Sequence, residues 1–407
     1  MFKFRHLLFI PSFYLLSTFS IAYFFYVIDV TKLEKPPLEL HFWCIMTILV
    51  SLLSVLVYSK KYNKVINDDA FKKGISTPFL TNRKKVWLLI LITVVGILGI
   101  VKYVLDYSRL LGAFGIFYNI FMEDTGQLRT WADSVESVGI QISYLSWIAA
   151  FILTIEVSLR HINKKWILAV IFIVLCNSIF LDRTRPVWIV FTCALAAFMV
   201  TYNKHSRKKI ITIISTIIGF FIGIFILIGA MLGKVTDQED YTGLGLPKEV
   251  QPLFLYLTCS FAYMGRLLYY DKPCEYWPIR SFYPIQKTLA SLHLVEQPPN
   301  PILDYFSIPF LVNTGTFLEP YFQDGGRVFL VLAILLHTFV FDQMGLYFMK
   351  RISALGVISI ATLCFVDFIA FFVPRATSPA IWFILAFCFI ISKFSKDTKQ
   401  EIHLKNN

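Results

Sequence analysis

Two short turns between apolar segments carry the residues best suited to chemistry. They are Asp182-Arg183-Thr184-Arg185-Pro186 and Pro374-Arg375-Ala376-Thr377-Ser378-Pro379. A guanidinium group stays protonated and can donate two parallel hydrogen bonds to one phosphate group. Short loops on the outer side of a membrane normally lack arginine, and the charge distribution described below places both turns there. The two turns therefore indicate contact with an anionic, lipid-linked substrate at a membrane edge.

The composition indicates which elements must position these turns. Of the 407 residues, 57% are hydrophobic and 16% are charged, which is more apolar surface than a soluble core of this length could bury. Ten apolar stretches approach the ~20 residues that a spanning helix needs. They are 7–28, 39–58, 86–105, 138–158, 166–181, 187–202, 210–232, 327–349, 353–373 and 379–395. The sequence therefore predicts an all-α polytopic membrane protein with about ten transmembrane helices.

Lysine and arginine set the predicted orientation. When alternate loops are assigned to the inside, those loops carry 23 of the 38 basic residues, the short outer loops carry 7 and the long loop 233–326 carries 6. Both termini are therefore predicted to be cytoplasmic. This gives three parts: helices 1–7 in 1–232, one large external loop in 233–326, and helices 8–10 with a cytoplasmic tail in 327–407. The net charge of +12 is spread over membrane-edge loops, which indicates lipid rather than nucleic acid as a partner.

The external loop begins with an apolar and aromatic segment, Gln251 to Tyr270. Because it also contains Arg266, we expect a helix that lies in the membrane interface or dips into it. The alternative is an eleventh spanning helix, which would move 271–326 inside and reverse the Lys350-Arg351 loop. A second crossing near 305–320 would restore the orientation.

Familiar catalytic signatures are missing from the sequence. It contains no glycine-rich nucleotide loop, no His-x-x-x-His pair, no Cys-x-x-Cys and no Asp-x-Asp, so nucleotide-driven and metal-dependent enzymes are disfavoured. We therefore expect no metal site and no cofactor. Outward-facing chemistry would need a substrate that is already activated, such as a sugar on a polyprenyl pyrophosphate, and arginine can stabilise that leaving group without a metal.

One segment resembles a known family. The run Asn313-Thr314-Gly315-Thr316-Phe317-Leu318-Glu319-Pro320-Tyr321-Phe322-Gln323-Asp324-Gly325-Gly326 resembles the Asn-x-x-Thr…Pro-Tyr…Asp-x-Gly segment of bacterial oligosaccharide repeat-unit polymerases, the Wzy-type O-antigen and capsule polymerases. The Arg183 to Arg185 turn is similar to the arginine turn of that family, and the helix layout covers essentially the whole chain. The resemblance implies a GT-C-like fold with one large periplasmic loop in the bacterial inner membrane.

The resemblance also implies an activity. A membrane glycosyltransferase of this kind transfers a growing polysaccharide from undecaprenyl pyrophosphate to a hydroxyl of another lipid-linked repeat unit. Its partners would be the lipid-linked donor and acceptor, membrane lipid, a chain-length regulator and a flippase. Two alternatives stay open. An O-antigen ligase uses the same donor with a different acceptor, whereas a lipid-linked oligosaccharide flippase should line a central cavity with charge across the depth of the bilayer.

The candidate site residues follow from the arginine turns and the resembling segment. The catalytic candidates are Arg185, Arg375 and Asp324, and the substrate-binding candidates are Arg183, Arg266, Arg280, Arg327 and Tyr321. Arg183 and Arg185 also fit interfacial anchors paired with Asp182. Asp324 fits either a general base or a helix cap. The intramembrane Asp367 fits either an ion pair with an arginine or a proton-handling role.

Overall fold

The computed structural model describes most of the chain. The described residues are 4–68, 71, 79–80, 83–111, 135, 137–180, 182, 184–202, 219, 223, 242, 247, 250–271, 280–291, 294–296, 298, 306–309, 311–350 and 354–404. Arg183 and nearly all of the predicted helix 210–232 lie outside them. The roles predicted for those residues therefore stay predictions.

Helices dominate the described residues, and two very short strands pair beside them. The helices are α1 (Pro11–Val27), α2 (Leu38–Asn67), α3 (Arg83–Leu111), α4 (Gly139–Ser158), α5 (Ile167–Ser178), α6 (Thr184–Thr201), α7 (Gln251–Tyr270), α8 (Tyr283–Ser291), α9 (Glu319–Leu335), α10 (Phe341–Lys350), α11 (Ala354–Phe368) and α12 (Pro379–Leu404). A π-helical turn, Leu336–Val340, joins α9 to α10. Strands β1 (Phe306–Ser307) and β2 (Leu311–Val312) are antiparallel.

Among the described residues, five helical segments are long and apolar enough to cross a membrane, the last of them made of α9, the π-helical turn and α10. They are Leu38–Asn67, Arg83–Arg109, Gly139–Ser158, Thr184–Thr201 and Glu319–Lys350. Leucines on the outward faces of α2 and α3, such as Leu53 and Leu98, are exposed, as expected of side chains that face lipid. The described residues therefore confirm an all-α membrane protein, and helices cover nine of the ten predicted apolar stretches.

The chain divides into two compact units. Unit 1 comprises Met1–Asp68, Asp237–Lys350 and Thr362–Trp382, and unit 2 comprises Asp69–Thr236, Arg351–Ala361 and Phe383–Asn407.

The core of unit 1 is built around aromatic side chains of α1 and α7. Phe19 contacts the rings of Phe261 and Phe317, with centroids 5.1 and 5.8 Å apart. Phe317 also donates its backbone N–H to the carbonyl of Ala370 at 2.8 Å. The helix predicted for 251–270 is thus present as α7 (Gln251–Tyr270), and its burial against α1 and α2 makes it a core element of this unit.

The start of α9 differs from the sequence prediction. We expected the helix to begin at 327, where the apolar run starts, but it begins at Glu319. Pro320 stands in the first turn, where proline is favoured. The helix then breaks at Gly325 and Gly326, and Gly326 has a φ of 59°, a left-handed conformation that glycine adopts without strain. Local turn chemistry, rather than hydropathy, therefore sets this helix start.

Unit 2 is held together by close contact between α3 and α4. A Cβ atom on Gly99 would lie 2.8 Å from the side chain of Ile142, and one on Gly139 would lie 2.8 Å from the backbone nitrogen of Tyr103. Small residues allow two membrane helices to approach this closely. The α4 to α5 contact adds a buried hydrogen bond of 2.7 Å, donated by Trp147 Nε1 to Asn177 Oδ1.

Candidate functional site

The segment that resembles the polymerase family folds into a loop that fixes Glu319. The backbone N–H of Glu319 donates to the carbonyl of Thr316 at 3.1 Å, and the Thr316 hydroxyl accepts from the backbone of Leu318 at 3.3 Å. A Cβ on Gly315 would lie 2.6 Å from the Cβ of Glu319. A side chain at position 315 would therefore displace Glu319, which explains why glycine suits this place.

Glu319 forms a buried ion pair with Arg280. The guanidinium Nε lies 2.7 Å from Glu319 Oε1, and the side chains are 12% and 0% exposed. A charge taken out of water is costly unless an opposite charge and hydrogen bonds accompany it. The pair therefore connects the segment before α8 to the start of α9. Either side chain would be costly to bury as a charge without the other.

Asp324 holds the same segment from one turn further along α9. Its Oδ1 accepts the backbone N–H of Arg280 at 3.1 Å. Its Oδ2 accepts both the backbone N–H and the hydroxyl of Ser281 at 2.6 Å. Neither oxygen accepts a bond from the amides of its own helix in the described contacts, so these contacts do not support the alternative that Asp324 caps the helix. The carboxylate instead fixes the backbone that presents Arg280.

Two further predicted arginines are also paired with carboxylates. Arg327 donates to both oxygens of Glu39, at 2.7 and 3.1 Å, and to Asp271 at 3.3 Å. Arg266 binds the carboxylate of Glu34 and donates to the Tyr270 hydroxyl at 3.1 Å. These pairs link the start of α2, the end of α7 and the region around the helix break in α9.

We call this group the arginine–carboxylate rim. Its members are Glu34, Glu39, Arg266, Asp271, Arg280, Glu319, Asp324 and Arg327. Three arginines thus face five carboxylates, so the described rim is acidic overall. Among the described residues, its carboxylates do not converge as a metal site requires.

Tyr321 does not lie on the surface of the rim. Its side chain is buried in the core of unit 1 together with Phe317, Leu318 and Phe322. In this arrangement its ring packs inside the unit and is not presented for stacking on a sugar.

Arg185 lies in unit 2 and is surrounded by aromatic rings. Its guanidinium carbon is 3.9 Å from the ring centroid of Phe180 and 5.5 Å from that of Tyr144. The group also donates to the Ser143 hydroxyl at 3.3 Å, and the residue is only 8% exposed. Asp182 is 3.9 Å away, and one of its oxygens accepts from the backbone and hydroxyl of Thr184, which begins α6. Cation–π contacts and α6 capping therefore fix this turn.

Arg375 begins a short 3-10 turn, Arg375–Thr377, between α11 and α12. Its backbone N–H donates to the carbonyl of Val373 at 2.9 Å, and the turn is braced by a hydrogen bond from Trp382 Nε1 to the carbonyl of Ala376 at 3.0 Å. The residue is partly exposed. Arg375 belongs to unit 1 and Arg185 to unit 2.

Sequence reasoning missed Glu319 and the partners of two intramembrane groups. Glu319 stands inside the resembling segment, and its burial was not apparent from a local pattern. Asp367 was marked by its place in an apolar helix, but its partner is His337, at 2.7 Å, and not an arginine. Asp342 is fully buried as well. Their positions in apolar segments were the only sequence signal.

Comparison with known proteins finds no match to this chain among family models, curated proteins or solved structures.

Proposed function

We propose that this chain is a membrane glycosyltransferase that polymerises undecaprenyl-pyrophosphate-linked repeat units into O-antigen or a related surface polysaccharide. It would have about ten spans in a GT-C-like arrangement, in the bacterial inner membrane with both termini cytoplasmic, and it would act at the periplasmic face. The observation that carries the proposal is the arginine–carboxylate rim. It is assembled around the resembling segment, at one end of the spanning helix Glu319–Lys350.

The charges of the rim suggest which part of the substrate it would bind. Carboxylates accept hydrogen bonds from sugar hydroxyls, and guanidinium groups donate bonds in a fixed fork. Because its carboxylates outnumber its arginines, the rim suits uncharged hydroxyls better than a pyrophosphate. We therefore assign the glycan to the rim. Contact of Arg185 in unit 2 with a pyrophosphate, and of Arg375 in unit 1, stay two separate proposals.

In the proposed reaction, a hydroxyl oxygen of the acceptor glycan attacks the anomeric carbon of the donor sugar. The bond from that carbon to the pyrophosphate oxygen breaks, and the electron pair leaves with undecaprenyl pyrophosphate. Arginine stabilises the negative charge on the leaving group, and a carboxylate accepts the hydroxyl proton. Because both oxygens of Asp324 already accept bonds from the segment it fixes, we assign Asp324 a positioning role. Both oxygens of Glu39 accept bonds from Arg327 as well. The partly exposed Glu34 and the exposed Asp271, each of which contacts an arginine through one oxygen in the described contacts, become the candidate bases.

The test uses purified protein in lipid vesicles with a lipid-linked repeat unit as the only sugar source. A ladder of longer glycans on a gel is the expected product. Arg327→Lys keeps the charge but loses the bidentate contact with Glu39, so we expect the rate to fall about 10-fold or more. Arg109→Lys is the matched control, because Arg109 is 80% exposed on α3 in unit 2. A protein that binds the lipid-linked sugar yet never lengthens it would refute the proposal.

The same preparation distinguishes the two alternatives. An O-antigen ligase would form product only when lipid A core is supplied as acceptor. A flippase would move the lipid-linked sugar across the vesicle membrane without forming a new glycosidic bond. The flippase is favoured by one observation, the buried titratable groups His337, Asp342 and Asp367 inside unit 1, because charge at membrane depth is typical of transport pathways.

A further inference from the structure

Three titratable side chains lie deep within the membrane-spanning part of unit 1. His337 follows Arg327 by ten residues on the same span and precedes Lys350 by thirteen. A helical rise of about 1.5 Å per residue places it about 15 Å from the first and about 20 Å from the second. The hydrocarbon core is about 30 Å thick, so His337 lies near its middle. Asp342 is five residues further along.

His337 and Asp367 form a fully buried pair. His337 Nδ1 lies 2.7 Å from Asp367 Oδ1, and both side chains are inaccessible to solvent. The rings of Phe317 and Phe341 flank the imidazole, with centroids at 4.5 and 4.9 Å. In the part of the chain that the structure describes, His337 Nε2 and Asp367 Oδ2 are buried with no hydrogen-bond partner. Buried polar atoms without a partner are uncommon in folded proteins because each costs free energy. The pair therefore has atoms available to accept a proton or a further hydrogen bond.

The backbone beside the pair is also unusual. Residues Leu336–Val340 form a π-helical turn inside an otherwise α-helical span. Single π turns within α-helices occur frequently at functional sites. Here the turn contains His337 and ends two residues before Asp342.

Asp342 connects the region of the pair to α1 and α2. Its carboxylate accepts the backbone N–H and hydroxyl of Ser12, at 2.9 and 2.5 Å, and the hydroxyl of Ser54 at 2.6 Å. The Tyr62 hydroxyl donates to the Asp342 carbonyl at 2.9 Å. Ser54 and Tyr62 belong to a row of buried hydroxyls at helical spacing on α2, formed by Thr47, Ser51, Ser54, Tyr58 and Tyr62. Ser51 Oγ is a further buried atom without a partner among the described residues.

The other titratable groups near the three residues are not basic. Asp367 interacts electrostatically with Cys364 of α11 and with Tyr321 of α9. Tyr14 of α1 interacts in the same way with Cys364, and Tyr58 and Tyr62 of α2 do so with Asp342. Among the described contacts, no lysine or arginine pairs with His337, Asp342 or Asp367.

We propose that His337, Asp367 and Asp342 form an intramembrane proton-binding site. The His337–Asp367 pair stores the proton, and Asp342 with the α2 hydroxyl row exchanges it towards the Lys350 end of unit 1. In loading, hydronium gives a proton to the Asp367 carboxylate at Oδ2, a new O–H bond forms, and water is released. With Nδ1–H donating to the carboxylate, loading turns one isolated negative charge into a neutral pair, which a low dielectric favours. This inference does not depend on the proposed glycosyltransferase activity.

Infrared difference spectra of the full chain in lipid nanodiscs test the site. The C=O stretch of protonated carboxyl groups is followed while the buffer changes from alkaline to acidic. We expect the wild-type protein to gain carboxyl signal on acidification, Asp367→Asn to lose one component and Asp342→Asn to lose another. His337→Gln replaces the ring that donates to the carboxylate, so the Asp367 component should remain with a shifted midpoint. The matched control is Asp106→Asn on α3, which should leave both components unchanged.

A merely structural pair gives a different result. Asparagine keeps an oxygen able to accept the His337 bond, so Asp367→Asn would then change thermal stability at most and leave the spectra as in the wild-type protein. That result would overturn the proposal. So would a wild-type spectrum in which every carboxyl component that appears on acidification is that of a solvated group, and this measurement needs no variant to fold.

Discussion

Replacing Asp324 gives the sharpest test of how the rim is built. Its carboxylate accepts three hydrogen bonds, two from backbone amides and one from the Ser281 hydroxyl. A hydrogen bond to a charged group contributes about 1.5–3 kcal/mol. The three would not add in full, because Arg280 and Ser281 are half-buried and water can reach their amides if the turn opens. We therefore expect Asp324→Ala to lower the free energy of unfolding by about 2–4 kcal/mol.

Two milder variants separate positioning from catalysis. Ser281→Ala removes only one bond and should cost about 1 kcal/mol. Asp324→Asn keeps one accepting oxygen but turns an NH₂ group towards backbone donors, so its loss of stability should lie between those of the other two. If Asp324 only positions Arg280, adding Asp324→Asn to an Arg280→Lys protein should reduce polymerisation little further, because both changes disturb one unit.

Two measurements are made on these variants. The free energy of unfolding is measured in mixed micelles that contain increasing amounts of a denaturing detergent, and the rate of polymerisation is measured in lipid vesicles. An Asp324→Ala protein whose unfolding free energy stays within about 0.5 kcal/mol of wild type would refute the structural argument. An Asp324→Asn protein of near-normal stability that loses about 100-fold or more in turnover, while Arg280→Lys stays active, would return Asp324 to the role of general base.

Four other predictions follow from the charges, the packing and the sequence. Arg280→Ala should cost about 3–5 kcal/mol of stability by leaving Glu319 buried and unpaired, and adding Glu319→Gln should restore most of it in the same unfolding assay. Gly139→Ala would press a methyl group onto the backbone of α3 and should lower the melting temperature, equivalent to about 1–3 kcal/mol. In intact cells, a single cysteine at Asn63 should be protected from an impermeant thiol reagent, whereas one at Gln297 should be labelled. The reverse pattern would overturn the predicted orientation. Polymerisation should continue when a chelator is present and no nucleotide is added. Activity that is lost with chelator and returns only when magnesium is added would contradict this prediction.

The helices were largely predictable because hydropathy is a local property. A spanning helix must satisfy its own backbone hydrogen bonds and present apolar side chains to lipid, so composition over ~20 residues marks it. The start of α9 was mispredicted because it depends on Thr316 and Pro320, which stand several residues before the apolar run that begins at 327. The close approach of α3 and α4 at Gly139 likewise depends on two helices at once, which hydropathy of either one does not reveal.

The arginines of the candidate site were predictable as residue types, but their partners were not. Arg266 and Glu34 are 232 positions apart, and Arg327 and Glu39 are 288 apart. No local spacing rule links such residues, because the packing of α2, α7 and α9 alone brings them together. The same holds for His337 and Asp367. The cost of an intramembrane acid indicated that a partner must exist, but which residue supplies it depends on the tertiary fold.

The pairing in the rim changes what an arginine there can do. A free guanidinium would attract any phosphate, whereas Arg327 already donates to both oxygens of Glu39. An anionic ligand must displace that carboxylate, and the displaced Glu39 must then regain hydrogen bonds from water or from the ligand. A glycan supplies such donors through its hydroxyls, but an isolated pyrophosphate does not. The rim should therefore bind glycan more tightly than inorganic pyrophosphate. Glu39→Gln should reduce that difference in affinity, because it removes the carboxylate that occupies two donors of Arg327. Equal affinity of the wild-type protein for both ligands would contradict the assignment of the rim to the sugar.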